Sequence, residues 1–160
     1  MNVMTLDEAI SQREQWRGRT LVITNGHFDL LHIGHLDYLE KARALGDALW
    51  IGLNGDASTE QLKGPGRPIT PADERARLLS ALRPVDGVIV FHERTAENLV
   101  RALRPEIYVK GGDYGTSDQG LVKPLPEAEI VRAYGGQVVL IPYLPGHSTS
   151  AVIQKVKSLP

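Results

Sequence analysis

Short, unbroken apolar runs punctuate the chain at Leu21–Thr24, Ala48–Leu53, Gly87–Phe91, Ile107–Val109 and Val138–Ile141. Runs of this length, rich in Val, Ile and Leu and lacking polar alternation, predict strands buried on both faces. Between them the apolar positions recur about once per helical turn, as at Leu36, Leu39, Ala42 and Leu45. That periodicity predicts helices over Gly34–Leu45, Pro71–Leu82, Thr95–Leu103 and Pro126–Tyr134, the last closed by Gly135-Gly136. A capping box, Thr5-x-x-Glu8, opens an earlier helix that runs to about Trp16, and a final helix is expected from Ser148 to near Val156. Thr70-Pro71 supplies a capping hydroxyl before a proline at the first helical position, and Thr95 reads as another N-cap.

Strands alternating with helices predict an α/β fold, namely a single Rossmann-like domain with a five-stranded parallel sheet, helices on both faces and an added N-terminal helix. Residues 1–20 read as a helical extension and 21–160 as the main domain. Length agrees, because 160 residues suit one domain with a sizeable core. Charge nearly balances at −1, so no basic excess points to nucleic acid or an anionic membrane. The absence of cysteine excludes a disulfide scaffold and is compatible with a reducing compartment. Residues Met1 to Glu14 carry acidic side chains and no long apolar core, and no stretch approaches the ~20 apolar residues of a membrane span, so a cytoplasmic enzyme is expected.

Ligands of parallel α/β sheets bind beyond the carboxyl ends of the strands, so the candidate chemistry follows each apolar run. After the first strand come Thr24, Asn25, Gly26 and Phe28, then His32 and His35 flanking Gly34 at the start of a helix. The first N–H groups of a helix lack intrahelical partners and favour an anion, and a glycine there lets a phosphate approach the backbone. Each imidazole can donate a hydrogen bond to a phosphate oxygen. A metal site would need further ligands from His, Asp or Glu, and His27, His92 and His147 offer no compact spacing. After the second strand, Asn54-Gly55-Asp56 leads into a polar, glycine-rich segment, Ser58 to Pro68, with Lys63 and Arg67. It reads either as a mobile basic loop over phosphates or as a plain connector. The fourth strand leads into Lys110-Gly111-Gly112-Asp113-Tyr114, and the fifth into Gly146-His147-Ser148-Thr149-Ser150 at a helix start. All four clusters are expected to converge at one end of the sheet.

Three of these stretches carry a family resemblance: Thr24-Asn25-Gly26-His27-Phe28-Asp29-Leu30-Leu31-His32-Ile33-Gly34-His35, Lys110 to Tyr114, and Ser148-Thr149-Ser150. Together they resemble the cytidylyltransferase-like nucleotidyltransferases over Leu21 to Val156. Asn54-Gly55-Asp56-Ala57-Ser58, Leu62-Lys63-Gly64 with Arg67-Pro68, and Val109 to Tyr114 are most similar to the D-glycero-β-D-manno-heptose 1-phosphate adenylyltransferases. The resemblance implies direct in-line transfer of AMP from ATP to a sugar 1-phosphate, with pyrophosphate leaving. It implies catalytic roles for His32, His35 and Lys63, and nucleotide contacts by Thr24, Asn25, Gly26, Phe28, Gly34, Arg75, Lys110, Gly112, Asp113, Ser148 and Thr149. Arg75 reads equally well as a charge on a helix surface, and Asp29 as a residue that holds a turn. The implied cofactor is Mg2+ carried by ATP through its phosphates, with no protein side-chain ligand, and the implied assembly is a homodimer. Tyr143 stands where relatives using glycerol 3-phosphate and CTP have an arginine, which disfavours that acceptor. His27 replaces a residue that is often small in relatives, so a larger ring reshapes the sugar-phosphate pocket. Alternatives are transfer of CMP or AMP to glycerol 3-phosphate or another small phosphorylated alcohol or cofactor precursor, and a nucleotide-binding regulatory module without turnover.

Overall fold

The computed structural model describes residues 3–112 and 125–160. Its elements in chain order are β1 (Val3–Met4), α1 (Leu6–Gln15), β2 (Leu21–Gly26), α2 (Ile33–Arg43), β3 (Ala48–Asn54), α3 (Asp56–Lys63) and α4 (Ala72–Ser80). They continue with β4 (Gly87–Phe91), α5 (Glu97–Leu103), β5 (Ile107–Gly111), α6 (Pro126–Ala133), β6 (Gln137–Ile141) and α7 (Thr149–Lys157). Every pairing is parallel and the strand order is β1-β4-β3-β2-β5-β6.

The five anticipated strands are all present, and a sixth, β1, adds to the far edge by pairing Val3 with Val88 and Met4 with Ile89. Two residues carry no periodicity, so only pairing with β4 defines that strand. Successive residues of the central strands enter opposite cores, as the period of two requires. Leu21 and Ile23 of β2, Trp50 of β3 and Tyr108 of β5 pack beneath α1, α5 and α6 with Ala9, Leu99, Val100, Leu103 and Val131. Val22, Leu49, Ile51 and Val109 face α2 and α4 through Leu39, Ala42, Ala76 and Leu79. Both faces of β2 and β3 are therefore dry, which explains their unbroken apolar runs. α1 opens on the expected box, with the Thr5 hydroxyl accepting from Glu8 N and the Glu8 carboxylate accepting from Thr5 N.

Several boundaries differ from the sequence reading: α5 begins at Glu97 with Ala96 rather than Thr95 as its N-cap, because the Thr95 hydroxyl donates to the Glu97 carboxylate instead of capping a backbone N–H. The segment after Asn54 is a helix as far as Lys63, because Gly55 breaks the strand and Ser58 and Thr59 turn their hydroxyls onto the Gly55 carbonyl. The glycine-rich connector begins only at Gly64, whose φ of 98° suits glycine alone. Helix α4 starts one residue later than expected, with Pro71 as its N-cap and no side-chain cap bond.

From β2 the chain steps outward through β3 to β4, then returns to the other side of β2 for β5 and β6. The strand order thus reverses between β2 and β5. Connections leave in opposite directions there, and the carboxyl ends of those two strands open a crevice.

Candidate active site

A cavity of about 800 Å³ occupies that crevice, within the range of small-molecule sites. Asn25, Gly26 and Phe28 from the end of β2, and His32, Gly34 and His35 from the start of α2, line one wall. Lys63 and Arg67 come from the end of α3 and the segment beyond it, Lys110 and Gly111 from β5, and Ser148 and Thr149 from the start of α7. Four clusters far apart in sequence thus meet in one cavity, because each follows a strand of a parallel sheet.

Local geometry at the β2 end is tightly determined. The Tyr108 hydroxyl donates to Asn25 Oδ1 (2.5 Å) and Lys110 Nζ donates to the Asn25 carbonyl (3.1 Å), which joins the two strands that bound the crevice. Phe28 adopts a left-handed backbone (φ 47°), a conformation that bulky residues rarely hold outside functional sites. Its ring packs 5.3 Å from that of His35, and a Cβ on Gly26 would approach the same ring to 3.1 Å.

His32 is the N-cap of α2, and its backbone N–H donates to His35 Nδ1 (3.3 Å). A neutral imidazole that accepts at Nδ1 carries its proton on Nε2, so His35 offers the cavity an Nε2–H donor. The two rings stack at 3.9 Å with 31° between their planes. Burial, and then the neighbouring His32, push His35 down to about 4, while burial and His147 lower His32. Without a bound anion both rings are neutral near pH 7, so the positive charge around the cavity comes from Lys63, Arg67, Arg94 and Lys110, of which Arg67 is paired with Asp29. His32 Nδ1 is buried with no hydrogen-bond partner among the described residues. A Cβ at Gly34 would press within 3.0 Å of the His32 ring and 3.1 Å of His147, so only glycine leaves the helix start open here.

Several expected residues stand elsewhere. Thr24 is fully buried below the cavity, its hydroxyl 2.7 Å from that of Tyr38. Arg75 is neither an exposed helix charge nor a cavity residue. Its side chain is buried, donating to the carbonyls of Thr70 (2.7 Å), His27 (2.5 Å) and Asn54 (2.9 Å) and to Asp56 (2.7 Å). It therefore ties the ends of β2 and β3 to the starts of α3 and α4. Gly112 lies beside Pro142 at the rim, and Gly111 rather than Gly112 lines the cavity. Asp113 and Tyr114 lie outside the described residues. Ser148 caps α7 by accepting from Ala151 N (3.1 Å).

Asp29 holds a turn, though a distant one. Its carboxylate accepts from Ile69 N, Thr70 N and Arg67 Nε, which pins the basic segment against the β2 loop. Burial raises its pKa, but the Thr70, Ile69 and Arg67 donors outweigh that and hold the carboxyl below the usual range. Glu127, missed in the sequence, is buried at the cavity wall and accepts from Ala96 N (2.8 Å) at the start of α5. Tyr143 covers Gly111 so closely that a Cβ there would lie 2.3 Å from its ring. Its side chain also lines the cavity.

The family model for cytidylyltransferase-like proteins matches residues 23–155. The chain belongs to the cytidylyltransferase-like family. This membership makes it a nucleotidyltransferase by family, and its histidine wall is the part of the fold that carries the H-x-G-H signature. Among relatives, the bifunctional protein HldE of Trichlorobacter lovleyi is 49% identical over 97% of this chain and 30% of its own length. The HldE protein of Pseudomonas entomophila is 45% identical over the same shares. The chain thus spans about 30% of the length of these curated relatives. A lipopolysaccharide core biosynthesis protein from Thermoplasma volcanium superposes with a TM-score of 0.62 at 28% identity, covering 79% of this chain and 98% of that one. A pantoate-beta-alanine ligase from Francisella tularensis shares the fold with a TM-score of 0.62 at 10% identity, over 99% of this chain and 74% of that one.

Proposed function

We propose that the chain transfers AMP from ATP to D-glycero-β-D-manno-heptose 1-phosphate, giving ADP-heptose and pyrophosphate. The observation that carries this reading is the meeting of His32 and His35 with Lys63, Arg67 and Lys110 around one crevice. Such a wall suits two phosphorylated substrates. An oxygen of the sugar phosphate forms the new bond to the α-phosphorus while the bond to the β-phosphate oxygen breaks. That oxygen is already anionic near neutral pH, so the attack requires no general base, and neutral histidines suffice as donors. The protein's part is to align the reactants and to stabilise charge on the transferring group, work that donors fixed before the reaction do at little reorganisation cost. His35 Nε2–H and the ammonium of Lys63 fill these roles, and Arg75 and Asp29 position the elements that carry them.

Among the described residues no group of three or more His, Asp or Glu could hold a metal ion. The two carboxylates lining the cavity, Asp29 and Glu127, accept from backbone and arginine donors. A magnesium ion brought in with ATP would neutralise charge on the leaving pyrophosphate.

A pyrophosphate-release matrix of ATP, CTP and GTP against heptose 1-phosphate, glycerol 3-phosphate and several cofactor phosphates tests the reading. The ATP and heptose 1-phosphate pair is expected to dominate. Dominance of CTP with glycerol 3-phosphate would overturn it, and tight ATP binding with no turnover would support a regulatory module instead.

A further inference from the structure

His27 follows β2 directly and lines the cavity, and the histidine-wall chemistry described above does not use it. Its Nδ1 lies 2.9 Å from the hydroxyl of Thr59, a fully buried residue of α3. That hydroxyl has one hydrogen, and it already lies 2.8 Å from the Gly55 carbonyl, which can only accept. With the hydrogen on the carbonyl, the shorter of the two contacts, the Thr59 oxygen meets the imidazole with a lone pair and Nδ1 carries the proton. The neutral ring then presents a bare Nε2, which makes no hydrogen bond among the described residues. This is the opposite tautomer to His35, whose Nδ1 accepts. Burial, and then the charges of Lys63, Arg75, Lys110 and Arg67, hold His27 down to about 4, so the ring stays neutral near pH 7.

The carboxylates that line the cavity, Asp29 and Glu127, are already taken up by backbone and arginine donors, whereas the Nε2 acceptor of His27 is not. Phosphate oxygens have little to offer it, because they carry few protons at neutral pH. The protons that a sugar phosphate and a nucleotide do bring are on hydroxyl and amino groups. The resemblance assigns the neighbouring Gly26 and Phe28 to the nucleotide along with Lys110 and the start of α7, but the His27 side chain is turned onto α3, on the opposite side of β2 from Lys110 and α7.

We infer that His27 is a specificity-determining residue whose Nε2 accepts a hydrogen bond from a hydroxyl of the acceptor sugar. The inference rests on the proposal that the acceptor is a sugar phosphate. Two substitutions separate the ring nitrogens. His27→Asn keeps an amide donor near Nδ1 for Thr59 but has no atom at Nε2, whereas His27→Gln returns an amide oxygen near Nε2. The expected result is a KM for the sugar phosphate raised ~10-fold or more in His27→Asn and largely restored in His27→Gln, with kcat and the KM for ATP within about 2-fold of wild type. A structural role would lower both variants' thermal stability and move both KM values together.

Unchanged acceptor KM in His27→Asn, or a rise confined to ATP, overturns the inference while wild-type turnover of the sugar phosphate leaves the proposed function standing. Absence of wild-type turnover with any sugar phosphate fails both together. In the free protein, long-range proton–nitrogen NMR of the histidine rings is expected to show His27 protonated at Nδ1. A proton on Nε2, or proton uptake by His27 when the acceptor binds at pH 7, makes it a donor and overturns the inference directly.

Discussion

Replacing Arg75 by methionine removes a guanidinium that is buried and donates to three backbone carbonyls and one carboxylate. Methionine fills similar volume but leaves the Thr70, His27 and Asn54 carbonyls without this donor. A hydrogen bond to a charged group contributes about 1.5–3 kcal/mol at most, and relaxation with water entry recovers part of it, so three carbonyls lose roughly 3–5 kcal/mol together. The pair with Asp56, whose side chain is 51% exposed, adds no more than ~1 kcal/mol. The expected loss of about 4 kcal/mol is a large fraction of a stability of ~5–15 kcal/mol, and lowers Tm by roughly 8–16 °C. Urea unfolding followed by tryptophan fluorescence measures it. Arg75→Lys should recover only part, because one ammonium cannot span four acceptors. A loss below ~1 kcal/mol, accompanied by a tenfold or greater fall in ATP affinity, would refute the reasoning and make Arg75 a nucleotide contact after all.

Other expectations concern the same site. His35 is held near 4 against 6.5 in an unfolded chain, so the unfolded state takes up a proton first and stability is lost as pH falls from 6.5 toward 4. At ~1.4 kcal/mol per pH unit this amounts to about 2–3 kcal/mol by pH 4.5, so wild type should lose that much stability relative to His35→Gln and the variant should become the more stable of the two; a stability difference that does not change with pH would contradict it. His35→Gln should also lower kcat by ~10²-fold or more with a small change in Tm at pH 7, as removal of a transition-state donor does. Lys63→Ala is expected to reduce kcat more than ATP affinity, and equal losses in steady-state kinetics and ATP titration would mark Lys63 as a static contact. Asp29→Asn should cost about 1–3 kcal/mol and speed proteolytic cleavage within residues 64–70, because three donors lose their shared carboxylate; unchanged cleavage would show that another contact pins the segment.

Much of this molecule was legible in its residues. The central strands declared themselves because both of their faces are dry, and the capping box located α1 because its bonds span three residues. The four clusters could be expected at one end of the sheet, since parallel strands put all their carboxyl ends on one side. Helix α3 was hidden because its buried side chains are Ser58 and Thr59, so the apolar periodicity that betrays other helices is absent. β1 exists only as two residues laid against β4.

What the sequence determined, then, is whatever depends on near neighbours and on periodic burial: element types, the parallel α/β class, and which loops follow strands. The tertiary structure alone decided the state of each polar group. Arg75 is a buried brace because carbonyls from residues as distant as 48 positions converge on it. The Nδ1 atoms of His27 and His35 meet different partners, the one the Thr59 hydroxyl, 32 residues away, and the other the backbone N–H of its own helix start. A side chain's chemistry at this site is set by the partners that folding brings to it, and those partners are not adjacent in the chain.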